Sequence, residues 1–276
     1  MKKFKVGIQL YSLRKVIEEI GMDAVLAEVK KLGYDCVEFA GYAGHTAEEI
    51  KAMLDKYGLE AISVHQGPDV FNDKAQETVD YLKTIGVKYC AIPWYAKEKL
   101  IGNPEWEETV ELFNNTAEIL AKNGIKLCYH NHDFEFEKYE DKYIIDHIFE
   151  AVPGLCPEFD TGWVTYSGEN PVAYIEKYAD KVDIIHLKDF YAKRLKSGPV
   201  YALIDDEGNA KGGNTLADNG FMYKATGSGL LDVPAILAAA KKVDAECVIV
   251  EFDDSPENPP LEDARLSREY LKSLGV

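Results

Sequence analysis

KKLGYDCVEF, residues 30–39, is the first of four similar ten-residue stretches that decide the fold of this chain. In each stretch a glycine separates a lysine-containing amphipathic segment from an apolar run, and the other three are DKYGLEAISV (55–64), KTIGVKYCAI (83–92) and AKNGIKLCYH (121–130). Glycine is the residue that most readily takes the left-handed conformation just beyond a helix. The repeat therefore predicts a helix that ends at the glycine and a strand that starts after it.

Short apolar runs, typical of buried strands, recur along the whole chain. Eight can be counted: Lys5–Leu10, Cys36–Phe39, Ala61–His65, Tyr89–Pro93, Lys126–His130, Leu155–Asp160, Asp183–Leu187 and Cys247–Glu251. Between them lie segments with helical spacing: Met22–Leu32, Ala47–Tyr57, Ala75–Ile85, Trp106–Asn123, Val172–Tyr178, Val233–Lys242 and Leu261–Leu274. Alternation of strand and helix predicts parallel pairing. Eight repeats in 276 residues predict a (β/α)8 TIM barrel, a fold of typically about 250 residues, as one domain over 1–276.

An open doubly wound sheet is the alternative fold, and the stretch after the first strand argues against it. That fold normally carries a glycine-rich phosphate loop there, and QLYS (9–12) contains no glycine. One irregular stretch, Tyr191–Thr226, is long and polar, so we expect a loop between the seventh strand and its helix. Long loops in compact domains are often lids or binding loops. We therefore predict that this loop borders the functional site, with a surface insertion as the alternative.

The composition argues against several classes of protein. A net charge of −17, from 48 acidic and 31 basic residues, repels phosphate backbones and disfavours nucleic acid as a partner. The sequence has neither an apolar run of 18 residues nor the long apolar region of a signal peptide, so we expect no membrane association. The five cysteines are odd in number and lack CxxC spacing, which favours a reducing cytoplasm over a disulfide framework.

The functional site of a (β/α)8 barrel lies at the C-terminal ends of its strands, and this chain has polar side chains there. Asp160, His186 and Glu251 end three consecutive predicted strands. Carboxylates combined with imidazole suit Mn²⁺, Co²⁺, Mg²⁺ or Zn²⁺ in an open site. Each residue alone has a structural explanation, as a helix cap, a core histidine or a lysine partner. Their joint occurrence predicts one divalent metal ion.

The motifs that contain these residues resemble the xylose isomerase-like barrel superfamily, and within it the sugar phosphate isomerase/epimerase group. In chain order they are GIQLYSLR, GYDCVEF, YHNHDFEF, DTGW, HLKD, GSGLLDVPAIL and VIVE. The resemblance covers nearly the whole chain. The set in this order is fairly specific for the group and weak for the individual substrate.

The resemblance implies four metal ligands: a Glu on the fifth strand, an Asp on the sixth, a His on the seventh and a Glu on the eighth. Asp160, His186 and Glu251 match the last three. The fifth strand departs from the pattern, because Cys128 or His130 stands where many sugar epimerases have the glutamate. The candidates for the fourth ligand are Glu135, His130 and His132. We expect Glu135 as the ligand and His132 as the acid/base group.

The chemistry shared by this family is proton abstraction next to a carbonyl. It implies a sugar isomerase or epimerase that works through a metal-stabilised enediolate, with catalytic roles for His132, Glu251 and Lys188. Only one of the two glutamates that epimerases use is kept, so the leading alternative is a lyase or dehydratase. Its substrate would be a keto-sugar such as a 3-keto-glycoside, or a keto-inositol. We expect substrate contacts from Gln9, Tyr11, Glu38, His65, Trp94 and His130, although a buried charge partner is an equal explanation for Glu38.

Two remoter functions are weighed against these. An endonuclease IV-like nuclease shares the barrel, but it needs a three-zinc cluster and a basic surface, which six histidines and a charge of −17 do not favour. A binding module without metal is the other, and metal analysis separates it from the enzymes. The expected partner is a small sugar or keto-sugar, and association with a second copy of the chain is left open.

Overall fold

Eight parallel strands form a closed barrel in the computed structural model, which describes residues 4–193, 195 and 220–276. With strands numbered along the chain, the barrel strands are β1 Lys5–Gln9, β2 Cys36–Phe39, β3 Glu60–His65, β4 Tyr89–Ile92, β5 Lys126–His130, β8 Leu155–Asp160, β9 Ile184–Leu187 and β12 Cys247–Val250. They follow one another around the barrel, and β12 closes it by pairing with β1. The (β/α)8 barrel predicted from the sequence is confirmed.

Helices surround this barrel. They are α1 Arg14–Ile20, α2 Met22–Leu32, α3 Ala47–Tyr57, α4 Val70–Asp73, α5 Ala75–Ile85, α6 Trp106–Lys122, α7 Ile144–Ala151, α8 Thr161–Tyr166, α9 Pro171–Lys177, α10 Val233–Lys242 and α11 Pro260–Ser273. All seven predicted helices are present, within one residue at each end. Four helices, α1, α4, α7 and α8, are not among the predicted segments. The sequence of α7, IIDHIFEA, is apolar on most sides, and α8 begins directly after a strand. Over the described ranges, no helix has the length and apolarity needed to cross a membrane.

The glycine of the opening motif behaves as the sequence predicts. Gly33 follows α2 with φ +92°, and its N–H donates back to the carbonyl groups of Lys30 and Val29. The chain then turns into β2 within three residues. A left-handed residue at this position ends the helix and satisfies its last carbonyl groups.

The barrel interior changes from apolar to ionisable along the strands. Its N-terminal half is filled by a cluster of buried residues: Cys36, Ile62, Tyr89, Ala91, Cys128, Ile184, Cys247 and Ile249. Alternate residues of a strand point to the same face, so Cys128 and Ile184 are followed inward by His130 and His186. The ionisable groups therefore collect at the C-terminal end. All five cysteines are free.

Asp189 ties together the two ends of the long segment after β9. Its carboxylate accepts hydrogen bonds from the N–H groups of Phe190, Gly227, Gly229 and Leu231, at 2.8–3.1 Å. The hairpin of β10 (Phe190–Tyr191) and β11 (Met222–Tyr223) begins at this clamp, and a second small hairpin joins β6 (Lys138–Tyr139) to β7 (Lys142–Tyr143). Of the predicted loop Tyr191–Thr226, residues 194 and 196–219 lie outside the described residues.

The glycine of the DTGW motif packs against the neighbouring strand, and we predict that Gly162→Ala is strongly destabilising. A Cβ there would lie 2.0 Å from the backbone oxygen of Lys188, which belongs to the segment after β9. The expected loss is at least about 2 kcal/mol in the free energy of unfolding, measured by urea denaturation. Gly67→Ala is the control, because its Cβ would meet no atom within 4 Å. Equal stability of the two variants would contradict the prediction.

Candidate active site

Ionisable side chains from six barrel strands, or from the residues just after them, meet inside the barrel at its C-terminal end. They are Glu38, His65, His130, Glu158, Asp160, His186, Lys188 and Glu251. Their side chains are at most 8% exposed. Seven of them form two groups that share His186, and Lys188 lies beside these groups. The upper group, nearer the mouth, is His130, Asp160, His186 and Glu251, and the lower group is Glu38, His65, Glu158 and His186.

The upper group brings two imidazoles and two carboxylates around one point. His130 Nε2 lies 3.4 Å from Asp160 Oδ2 and 3.3 Å from Glu251 Oε2. His186 Nδ1 lies 2.8 Å from the same oxygen of Glu251. One ligand atom from each residue falls within 4.8 Å of all the others.

The two carboxylate oxygens of Asp160 have different surroundings, so the helix-cap explanation of this residue and its place in the upper group are compatible. Its Oδ1 caps α8 by accepting a hydrogen bond from the N–H of Trp163 at 2.9 Å. Its Oδ2 is buried and has no hydrogen-bond partner among the described residues. The backbone is fixed by Asn131, whose side-chain oxygen accepts a hydrogen bond from the Asp160 N–H at 3.0 Å. The second oxygen therefore faces the upper group.

The lower group combines ion pairs and hydrogen bonds deeper in the barrel. Glu38 Oε2 lies 2.8 Å from His186 Nε2 and accepts a hydrogen bond from the side-chain amide of Gln9 at 2.7 Å. His65 Nε2 lies 2.8 Å from Glu158 Oε2. Glu158 was not singled out from the sequence, although its alternation with Asp160 along β8 places it on the same inward face.

Lys188 places a buried cation beside the upper group. Its Nζ lies 3.3 Å from Asp160 Oδ2, 3.2 Å from Glu251 Oε2 and 3.0 Å from Asp253 Oδ1. It also lies over the ring of Trp163, 5.2 Å from the ring centroid. Burial lowers the pKa of Lys188, but the three carboxylates outweigh burial and raise it. The ammonium group therefore stays protonated at neutral pH.

The carboxylates of the upper group favour protonated imidazoles beside them. Burial opposes protonation of His130, but the adjacent carboxylates of Asp160 and Glu251 raise its pKa to about 9. Burial also disfavours the charged form of Glu251, yet the charges of Lys188 and His186 hold its pKa well below the usual range. A divalent ion requires neutral imidazoles, so its binding would displace these protons.

His132 lies beside the upper group rather than in it. Its ring centroid is 4.9 Å from that of His130 and 5.9 Å from that of Trp163. Burial, together with the positive charges of His130 and Lys188, lowers its pKa well below 6.5. The imidazole is therefore neutral at physiological pH, as a proton acceptor must be.

Glu135 does not join the upper group. It belongs to a short 3-10 helix, Phe134–Phe136, that follows β5. One carboxylate oxygen accepts a hydrogen bond from the Tyr129 hydroxyl and the other from the His132 N–H, both at 2.8 Å. Burial raises its pKa from an ordinary value of 4.5 to about 8, so the carboxyl is largely neutral at pH 7. The residue of the fifth strand that lies in the upper group is His130.

Three other predicted contact residues, Gln9, Tyr11 and Trp94, lie at or just after the C-terminal ends of β1 and β4. The side-chain oxygen of Gln9 accepts a hydrogen bond from the Tyr11 N–H, so both ends of Gln9 are engaged within the protein. The Tyr11 ring is covered by the guanidinium of Arg14 at 3.9 Å, and Trp94 is 41% exposed. The long segment contributes an aromatic wall that sequence reasoning did not identify. Phe221 stacks on Trp163 at 5.4 Å, and the Tyr223 hydroxyl donates to Asp253.

The donor chemistry of the upper group fits a divalent ion. Ligand atoms around a tetrahedral ion with bonds of about 2.1 Å lie about 3.4 Å apart, close to the separations from His130. Two imidazoles with two carboxylates suit Zn²⁺, Mn²⁺ or Co²⁺. The buried Asp160 Oδ2 gains in such an ion the partner that hydrogen bonding does not give it.

The chain belongs to the xylose isomerase-like TIM barrel family, whose model matches residues 26–274. The resemblance recognised from the motifs is therefore confirmed.

Known proteins similar to the chain include enzymes of carbohydrate metabolism. The chain is 28% identical to an inosose dehydratase of Geobacillus kaustophilus, over 91% of this chain and 87% of that protein. A crystal structure of a sugar phosphate isomerase/epimerase from Parabacteroides distasonis superposes with a TM-score of 0.75, at 23% identity over 99% of this chain and 95% of that one. A structure of the IolI protein with a bound zinc atom has a TM-score of 0.69, at 16% identity over 98% of both chains. These similarities indicate an enzyme.

The protonation of Glu135 gives a prediction for stability. Because folding raises its pKa from 4.5 to about 8, its contribution to stability is complete below pH 4.5 and is lost as the pH rises through 8. Glu135→Gln removes this dependence. The free energy of unfolding of the wild type, relative to the variant, should therefore fall by up to about 1.4 kcal/mol per pH unit within that window. Urea denaturation between pH 5 and 8 measures it, with the exposed Glu150→Gln as the control. Parallel profiles would contradict the prediction.

Proposed function

We propose that this member of the xylose isomerase-like TIM barrel family is a metal-dependent lyase that eliminates water or another β-leaving group from a keto-inositol or keto-sugar. The observation that carries the proposal is the residue on the fifth strand. Cys128 or His130 stands where many sugar epimerases of the resembled group have a glutamate, and His130 contacts Asp160 and Glu251. Those epimerases use two glutamates on opposite faces of the substrate. Of that pair the upper group contains only Glu251.

Sequence similarity supports the same reaction class. The inosose dehydratase of Geobacillus kaustophilus matches nearly the whole chain, and an inosose is a keto-inositol with hydroxyl groups β to its carbonyl. This similarity favours the lyase, the alternative raised from the sequence, over the isomerase or epimerase.

The residues that would hold the ion are His130, Asp160, His186 and Glu251. His130 thereby replaces Glu135, which is engaged by Tyr129 and the His132 backbone. A bound Mn²⁺, Co²⁺ or Zn²⁺ would supply a Lewis acid for the carbonyl oxygen of the substrate.

Two residues that do not bind the ion carry the proton transfers. His132, neutral and adjacent to the upper group, removes the proton from the carbon next to the carbonyl. The electron pair of that C–H bond forms the new C=C bond as the β C–O bond breaks. Lys188, protonated among three carboxylates, donates a proton to the departing oxygen, which leaves as water or as an alcohol. The products are an unsaturated ketone and the protonated leaving group.

Epimerisation remains the second candidate because the same two groups could serve it. If His132 and Lys188 face opposite sides of the substrate carbon, one removes the proton and the other returns it. The similarity to the sugar phosphate isomerase/epimerase fold is compatible with that reaction, although at 23% identity it concerns the fold alone. The fate of the β-substituent distinguishes the two reactions.

The test is a reaction in D₂O with the Mn²⁺- or Co²⁺-loaded protein. Substrates are an inosose, a 3-keto-glucoside and an aldose–ketose pair, followed by NMR and ultraviolet absorbance. The lyase predicts a conjugated ketone together with water or released aglycone. Deuterium uptake with an epimeric or isomeric product, and no elimination product, would contradict it.

A variant series tests the roles within that reaction. His132→Ala should bind the metal as the wild type does and lose about 10²–10⁴-fold in kcat, the usual contribution of general acid–base catalysis. His147→Ala, on α7, is the matched control and should keep full activity. Loss of the metal from His132→Ala would instead make His132 a ligand. Glu135→Gln should retain the metal, and His130→Ala should not.

A further inference from the structure

The two ring nitrogens of His186 face different carboxylates. Nδ1 forms a hydrogen bond with Glu251 Oε2 at 2.8 Å in the upper group. Nε2 lies 2.8 Å from Glu38 Oε2 in the lower group but forms no hydrogen bond among the described residues. A neutral imidazole offers one nitrogen as a metal ligand and carries a hydrogen on the other. Which nitrogen binds the ion therefore depends on which carboxylate receives the N–H.

We propose that Glu38 is a positioning residue, which accepts the Nε2–H of His186 and thereby directs the Nδ1 lone pair to the ion. The inference rests on the metal centre of the proposed function. Glu38, which the sequence analysis expected to contact the substrate, would instead orient a metal ligand. A hydrogen bond of this kind fixes the tautomer and the ring orientation of a histidine ligand and raises its basicity.

Glu38 is held where this role needs it. Its carboxylate is fully buried, and the adjacent residue Gln9 on β1 donates a hydrogen bond to Oε2 at 2.7 Å. The ionic partners of Glu38 within the described part of the chain are the imidazoles of His65 and His186. A buried carboxylate without a lysine or arginine partner is costly unless such N–H groups stabilise it. Glu38 Oε2, 2.8 Å from Nε2, is therefore the carboxylate placed to receive a hydrogen from that nitrogen when Nδ1 binds an ion.

The mirror arrangement would place the ion in the lower group. Nε2 of His186 would then bind it together with Glu38, His65 and Glu158, and Nδ1–H would be donated to Glu251. Buried atoms without a hydrogen-bond partner among the described residues lie in both groups, Asp160 Oδ2 in the upper and Glu38 Oε1, Glu158 Oε1 and His186 Nε2 in the lower, so they do not decide between them. The upper group is favoured because Lys188, the proton donor of the proposed function, lies beside it. It also lies nearer the C-terminal mouth of the barrel, where substrates enter.

The test is metal affinity, measured by calorimetric titration of metal-free protein with Zn²⁺ and with Mn²⁺. Glu38→Gln should weaken binding by about 10–100-fold, keep one equivalent of metal per chain and leave the Co²⁺ absorption spectrum nearly unchanged. Gln9→Ala, which removes the donor that orients Glu38, should shift the affinity in the same direction by a smaller factor. It also keeps the proposal testable if Glu38→Gln fails to fold. Glu246→Gln, at the opposite end of the barrel, is the control and should bind as the wild type does.

Three results would overturn the inference. Unchanged affinity in Glu38→Gln, with only a lower melting temperature of the metal-free protein, would mean a purely structural role. A loss above about 10³-fold, or an altered Co²⁺ spectrum, would make Glu38 a ligand. A second equivalent of metal in the wild type would assign the lower group to an ion of its own. Absence of metal binding in the wild type would instead reject the metal centre of the proposed function as well.

Discussion

The buried carboxylates at the C-terminal end of the barrel impose the constraint on which the rest of the site depends. Glu38, Glu158, Asp160 and Glu251 are at most 4% exposed, and Lys188 is the buried lysine that contacts two of them. Removing a carboxylate from water costs several kcal/mol unless a positive charge and hydrogen bonds replace the solvent. The histidines and Lys188 supply that charge, and in the proposed enzyme a divalent ion takes the place of imidazole protons. The closed barrel makes this possible, because it brings the ends of separate strands together above an apolar floor.

The DTGW motif shows how closely fold and site are linked. Asp160 ends β8, caps α8 with one oxygen and offers the other to the upper group. The absence of a side chain at Gly162 lets α8 start against the backbone of Lys188, the residue whose ammonium group lies beside Asp160. Trp163 then forms the surface over which that ammonium group lies. Four consecutive residues thus determine the local fold and the electrostatics of the candidate site together.

The sequence allowed much of the fold and part of the site to be predicted, for physical reasons that differ between residues. Two-residue alternation and the strand-end rule led to His130, Asp160, His186 and Lys188 because these follow apolar runs directly. Glu158 was missed because it lies inside such a run. Glu135 was expected at the metal because spacing alone does not reveal that the chain leaves β5 in a 3-10 turn, which directs this side chain to Tyr129. The hydrogen bonds to Asp189 come from residues about 40 positions away, so no local sequence pattern predicts them.

The most direct test of the metal centre is the position of the ion itself. Crystals of the protein loaded with Mn²⁺ or Co²⁺ should give an anomalous difference map, recorded at the absorption edge of the metal, with one strong peak per chain. The account predicts that peak among His130 Nε2, Asp160 Oδ2, His186 Nδ1 and a Glu251 oxygen, with Glu38 hydrogen-bonded to His186 Nε2. A peak among Glu38, His65 and Glu158, or no peak in fully loaded crystals, would contradict it.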